Sequence, residues 1–273
     1  MIAVYIASPI VLLFLVYLFL VAPSRTPEME KFKSVKYAHR GLHGNGAAEN
    51  STSAFRAAIE GGFGIELDVQ LSRDGELVVF HDGILDRVCG RSGKVIDFTP
   101  DELSEMKLLG TDDGIPRFSE VLSLVDGKVP LLVEIKEGMK GTPVAEAACK
   151  LLAEYKGPFI VESFNPLALK VVKNQLPKIP RGFLSQRYFD EEKYRKPLYF
   201  ALQSLLLNFV CRPAFIAYNH KHASAFGLRF VRTFFGAATV AWTVCSPEDE
   251  TRALENGFDG VIFENYVPDR NKL

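Results

Sequence analysis

The chain has 273 residues, 48% of them hydrophobic and 24% charged, with a formal net charge of −1. That composition excludes extended disorder, and the near-zero balance excludes a broad electrostatic affinity for nucleic acid. Without its apolar N-terminal segment the chain keeps about 250 residues, the usual size of one (β/α)8 barrel, and no Pro/Gly/Ser-rich linker divides them.

Met1 to Ala22 carries no charged side chain and centres on the apolar run Ile10 to Val21. About 20 such residues span a bilayer as a helix. A cleaved signal peptide begins with Lys or Arg and ends in a small-x-small site. Here no Lys or Arg precedes Arg25, and Val21-Ala22-Pro23 is a poor cleavage site. The sequence therefore predicts one uncleaved transmembrane anchor over residues 1–24, then a single domain over 25–273. Arg25, Lys31, Lys33 and Lys36 follow the anchor, and the positive-inside rule puts them, and the domain, on the cytoplasmic side. Cys89, Cys149, Cys211 and Cys245 form no CxxC pair. They read as isolated reduced thiols, which fits a reducing compartment.

Beyond Lys36, short β-rich runs alternate with helical stretches, the pattern of a parallel sheet with crossover helices. Strands are expected at Val35–His39, Ile65–Leu71, Leu131–Lys136, Phe159–Ser163, Gly182–Leu184, Phe215–Tyr218, Thr239–Val244 and Gly260–Phe263. Their number suits a closed α/β barrel of the (β/α)8 type. Helices are expected at Ser53–Glu60, Pro143–Tyr155, Leu167–Gln175 and Pro247–Asn256, the last with Ser246 as N-cap and Gly257 as stop. Residues 72–118 are too long for a simple loop and form a small insertion. It holds a turn at Arg73-Asp74-Gly75 before a strand at Glu76–Phe80, then a helix over Thr99–Leu108 with a Thr99/Glu102 capping box. Residues 188–225 also break the rhythm. Their apolar run Tyr199 to Val210 reads as a packed barrel helix, or else as a surface resting on a membrane or a lipid tail.

The chemistry lies in acids on strands. In Ile65-Glu66-Leu67-Asp68-Val69 the carboxylates share one face, and Glu134 and Lys136 do the same in Leu132-Val133-Glu134-Ile135-Lys136. Buried carboxylates are costly unless paired or bound to a cation, and oxygen ligands suit Ca2+ or Mg2+. A structural ion-pair cluster explains this spacing equally well. His39 and His81 each stand where a predicted strand ends, and barrel active sites gather at those ends. Imidazoles serve as the base and acid of phosphodiester hydrolysis, and Arg40 suits bidentate phosphate contact.

His39-Arg40-Gly41, Glu49-Asn50-Ser51-Thr52, Glu66-Leu67-Asp68-Val69, Asp74-Gly75, His81-Asp82 and Glu134-Ile135-Lys136 together resemble the ordered signature of glycerophosphodiester phosphodiesterases. Ser163-Phe164-Asn165-Pro166 and Trp242-Thr243-Val244 resemble further family elements, so that the likeness runs over residues 35–268. The resemblance implies a TIM barrel with one divalent cation held by Glu66, Asp68 and Glu134. It implies His39 and His81 as base and acid, and Arg40 and Lys136 as phosphate holders. It further implies attack by the substrate's own glycerol hydroxyl, giving a cyclic phosphate that water then opens. Glu49 is expected to help position the cation or the glycerol hydroxyls. Phe164 and Trp242 either stack on the substrate or pack the barrel. His43 reads as a solvated loop residue. The expected activity is release of an alcohol and glycerol 3-phosphate from a small-molecule or lipid-derived phosphodiester, by a single-pass membrane protein. A lysophospholipase D-like or glycerophosphate-polymer activity, or a catalytically silent membrane scaffold, are the alternatives.

Overall fold

A computed structural model of the chain describes residues 2–138 and 141–269, with the side chains of the first helix described from Pro9 onward. In chain order the elements are α1 (Ile2–Val21), β1 (Lys36–Ala38), α2 (Thr52–Gly61), β2 (Gly64–Leu71), β3 (Leu77–Val79), α3 (Asp86–Cys89), α4 (Pro100–Ser104) and α5 (Phe118–Val125). There follow β4 (Leu131–Ile135), α6 (Pro143–Glu154), β5 (Phe159–Ser163), α7 (Pro166–Gln175), β6 (Arg181–Ser185), α8 (Pro197–Gln203) and α9 (Asn208–Cys211). The chain ends with β7 (Phe215–Asn219), α10 (Phe226–Phe235), β8 (Ala238–Val244), α11 (Pro247–Glu255) and β9 (Gly260–Phe263).

The strands pair in the order β1-β9-β8-β7-β6-β5-β4-β2, and β1 pairs back onto β2. Eight parallel strands thus close into a barrel, while β3 adds antiparallel to β2. All of the expected strands are present. They read as apolar runs because barrel strands are covered on both faces. Along β2, Ile65, Leu67 and Val69 pack outward with the helices, so period-two alternation turns Glu66 and Asp68 to the lumen. Leu132, Ile160, Leu184, Phe215, Val240 and Ile262 fill the lumen, and Met29 and Phe32, from a short 3-10 turn ahead of β1, join that cluster.

Several expectations need correction. The helix predicted over Thr99–Leu108 stops at Ser104, although its capping box forms as read. Past Ser104 the chain turns so that Met106 and Leu108 enter the insertion's own apolar cluster. The Tyr199–Val210 run is not one helix. Leu205 adopts φ 60° between α8 and α9, and the buried Leu202, Leu205 and Cys211 join an apolar cluster with Val21, Leu169 and Phe183. Helices α5 and α10 were not anticipated.

Among the described residues no helix is long and apolar enough to cross a membrane, so the fold does not establish the anchor expected over residues 1–24, whose first eight side chains lie outside the described residues. The C-terminal end of α1 is fastened to the barrel. Asn208, fully buried, donates its side-chain amide to the Val21 carbonyl at 2.8 Å. Arg212 donates to the carbonyls of Phe19 and Ala22 at 2.9 and 3.0 Å, with its guanidinium over the Phe19 ring. Lys36 also departs from its expected place among the flanking charges. It is buried, with Nζ 2.6 Å from Glu250.

Candidate active site

The site starts from a sharp turn after β1. Arg40 and Gly41 take φ values of 55° and 80°, and a Cβ on Gly41 would lie 2.8 Å from that of Ala54. Glycine is therefore required there both by conformation and by space. The turn aims the Arg40 amide at Glu66, to which it donates at 2.8 Å. Its guanidinium faces the acids, with Nε 3.6 Å from Asp68.

Strand register brings the acids together. Asp68 pairs with Glu134 across β2–β4, and Glu134 with Glu162 across β4–β5. Glu66, Asp68 and Glu134 are all buried and bring ligand oxygens within 4.8 Å of one another. Lys136 reaches Glu134 at 2.8 Å and Asp68 at 3.0 Å. Asn50, also buried, donates to Asp68 at 2.8 Å.

The electrostatics follow from this crowding. Burial and the neighbouring Asp68 and Glu134 charges raise the Glu66 carboxyl well above the usual carboxylate range. Burial pushes Glu134 up to about 7, with Asp68 adding to the rise and Lys136 opposing it. Burial also acts to raise Asp68, but Lys136, His81 and Arg40 prevail and hold it low. Glu162, beside them, is raised by burial and by Glu134 and Glu66. Three carboxylates this close repel one another unless protons or a cation lie among them. An all-oxygen donor set of this kind fits a hard divalent cation.

A cavity of about 280 Å3 opens onto the cluster and is lined by His39, Arg40, Glu66, His81, Glu134, Lys136, Phe164 and Trp242, among others. The fold therefore joins both histidines, both cations, two of the three acids and both aromatics at one opening, with Asp68 fully buried beneath. Phe164 and Trp242 meet edge to face at 5.6 Å, and the buried Trp242 Nε1 has no hydrogen-bond partner among the described residues. Each imidazole is backed by a carboxylate. His81 Nδ1 lies 2.6 Å from Asp82, and His39 Nδ1 lies 2.7 Å from Glu264. Burial lowers the pKa of His81.

Glu49 sits one layer back from the opening. It does not line the cavity but accepts from Arg40 at 2.7 Å and from both terminal nitrogens of Arg87. Burial would raise its carboxyl, yet these two arginines bring it down to about 2. Arg87 in turn donates to Asp82 at 2.7 Å, so one ion network links the Arg40 and His81 sides of the mouth. His43 is only partly solvated: its side chain is 19% exposed and faces Glu264 at 3.6 Å. Glu264, Arg87 and Glu162 were absent from the sequence reading. For Glu264 the signal was its place directly after the last predicted strand, which barrel closure sets beside the first.

The profile of the glycerophosphoryl diester phosphodiesterase family matches residues 39–267. A glycerophosphodiester phosphodiesterase of Caldanaerobacter subterraneus is 33% identical over 249 residues, which cover 85% of this chain and 95% of that protein. Among solved structures, a Thermotoga maritima glycerophosphodiester phosphodiesterase superposes with a TM-score of 0.65 at 29% identity, covering 84% of this chain and 94% of the other. An Oleispira antarctica phosphodiesterase, solved with sn-glycerol-3-phosphate, shares the fold with a TM-score of 0.70 at 24% identity, over 86% and 94% of the two chains. With nearly the whole barrel matched, the chain belongs to the glycerophosphoryl diester phosphodiesterase family.

Proposed function

We infer that this protein hydrolyses glycerophosphodiesters to glycerol 3-phosphate and an alcohol. The observation that carries this reading is one cavity lined by two histidines, Arg40 and Lys136 beside a buried acid triad. Glu66, Asp68 and Glu134 would hold the divalent cation, Ca2+ or Mg2+. A cation held there would supply Lewis-acid polarisation of the phosphoryl group and favour ionisation of the attacking hydroxyl. Arg40 and Lys136 hold the phosphate oxygens and balance their charge. Each histidine uses Nδ1 on its carboxylate, which leaves Nε2 for the substrate. His39 takes the proton of the glycerol hydroxyl as its oxygen bonds to phosphorus, and His81 protonates the departing alkoxide. The resulting cyclic phosphate is opened by water with the two proton transfers reversed. Phe164 and Trp242 form the apolar wall against the glycerol carbons.

The test is release of glycerol 3-phosphate from glycerophosphocholine by the full chain with Ca2+, Mg2+ or chelator. Cation-dependent release, lost in Glu66→Ala, is expected; release that persists in chelator sinks the reading. A silent scaffold is disfavoured because each catalytic position expected from the family is filled. A lipid-tail site in 199–210 has less support, because Leu202 and Leu205 are spent on the core and only Phe200 of the run is exposed.

We propose further that α1 seats the protein in a lipid bilayer, with the barrel on the cytoplasmic side. In support, every side chain from Pro9 to Val16 is exposed and uncharged. The exposed Phe234 touches Phe14, and Phe226, 73% exposed, lies against Tyr17, extending one apolar face. Arg25, Lys31 and Lys33 supply the flanking charge, without Lys36. Full-length protein is expected to float with liposomes, and Leu13→Arg to stay behind. Equal flotation of the two refutes seating through this helix.

A further inference from the structure

The geometry points to Glu264 as a positioning residue that fixes the tautomer and aim of His39. This rests on the phosphodiesterase reading of the same cavity and adds to it a group that the sequence motifs do not contain.

The placement follows from barrel closure. β1 and β9 run side by side with Ala38 opposite Phe263, and the His39 amide donates to the Phe263 carbonyl at 2.9 Å. The residues that follow each strand, His39 and Glu264, are thus held next to each other by the barrel ladder. The Glu264 amide is tied as well, donating to the Val244 carbonyl at 2.9 Å. Its carboxylate then needs no reach of its own to meet the imidazole, and Oε2 sits 2.7 Å from Nδ1. The other oxygen looks toward His43 Nε2 across 3.6 Å, too far for a hydrogen bond but near enough to wall the carboxylate in.

An ionised carboxylate only accepts hydrogen bonds. Glu264 is kept ionised, its carboxyl held below the usual range by the hydrogen bond from His39 despite partial burial. The proton of neutral His39 is therefore held on Nδ1, and the Nε2 lone pair is left facing the cavity that His39 lines. When Nε2 takes the hydroxyl proton, the same carboxylate lies beside the new positive charge. Glu264 itself does not line that cavity. It borders a separate pocket of about 430 Å3, together with His43 and Tyr266, and so acts only through His39.

The experiment compares wild type, Glu264→Gln and Glu264→Asp as full chains. Glutamine preserves size but loses the charge, and its amide nitrogen can donate to Nδ1 and select the wrong tautomer. The expected result for Glu264→Gln is a fall in kcat of about 10- to 1000-fold, with KM and melting temperature near wild type. Glu264→Asp is expected to recover part of the loss. A p-nitrophenyl leaving group needs no acid, so it should rescue His81→Ala but not Glu264→Gln. Nitrogen-15 NMR of His39, identified by its loss in His39→Asn, should show protonation at Nδ1 in wild type and a changed tautomer in Glu264→Gln. That readout needs no turnover, so an inactive wild type would refute the reaction while leaving the tautomer to be judged. An active wild type with Glu264→Gln at full kcat, or with an unchanged His39 tautomer, overturns the assignment. Should Glu264→Gln fail to fold, the kcat and tautomer of Glu264→Asp decide in the same way.

Discussion

Replacing Asn50 by glycine tests whether Asp68 is held ready as a cation ligand. Asn50 adopts φ 54°, a conformation glycine takes without strain, so the change removes the amide and little else. The backbone amide of residue 50 still donates to the Arg40 carbonyl, which keeps the turn in place. What is lost is the 2.8 Å hydrogen bond to the fully buried Asp68 carboxylate, together with a longer one, 3.4 Å, that the Asp68 amide donates to the Asn50 side-chain oxygen. A hydrogen bond to a charged group contributes about 1.5–3 kcal/mol, and each 1.4 kcal/mol is tenfold in an equilibrium constant. Lys136 still grips the other Asp68 oxygen at 3.0 Å, so part of the loss is shared by the cation-free and cation-bound forms. The expected outcome is a cation affinity weaker by roughly 10- to 100-fold, with activity recovering at high cation concentration. Titration calorimetry and activity against free Ca2+ or Mg2+ both measure it. Unchanged affinity in both assays would mean that Asp68 needs no orienting partner, or that it does not bind the cation.

Two further outcomes follow from the same geometry. Because burial raises Glu134 to about 7 and Glu66 also titrates high, the cation must displace protons that these acids carry near neutrality. Affinity should rise with pH through 7 and weaken below it, with proton release seen as a buffer-dependent binding enthalpy; a flat pH profile contradicts this. At Gly182 an added Cβ would run into the Phe215 ring, inside a packed lumen. Gly182→Ala should destabilise by about 1–3 kcal/mol, read as a lower denaturant midpoint, and a neutral result would mean that the ring moves freely aside.

Much of this molecule was legible because barrel strands announce themselves. A strand covered on both faces is a run such as Leu131-Leu-Val-Glu-Ile135, and a carboxylate in such a run has few reasons to be there. Period-two spacing then put Glu66 with Asp68, and Glu134 with Lys136, without any structure. What stayed hidden depends on distance along the chain. His39 and Glu264 are 225 residues apart, and an acid after a strand carries no mark of its partner until the barrel closes. His43 looked solvated for the same reason, since the group that faces it comes from the far end of the sequence. The partners of Glu49, Arg40 and Arg87, were equally unreadable, because Arg87 lies 38 residues away and joins it only in the ion network around the mouth. The break at Leu205 was unreadable because the run Tyr199 to Val210 has no Gly or Pro to mark it.

The fastening of α1 has a mechanical consequence. Asn208 and Arg212 grip the last turn of that helix, and Met29 and Phe32 sink into the barrel a few residues later. Between them the Ser24 amide donates to the Pro213 carbonyl at 2.8 Å, so the connection is tied at three places. A catalytic head on a flexible leash sweeps a hemisphere and meets its targets at any angle. With α1 seated as proposed, this one would stand on a stem, at one height and one bearing, with its mouth turned in one direction.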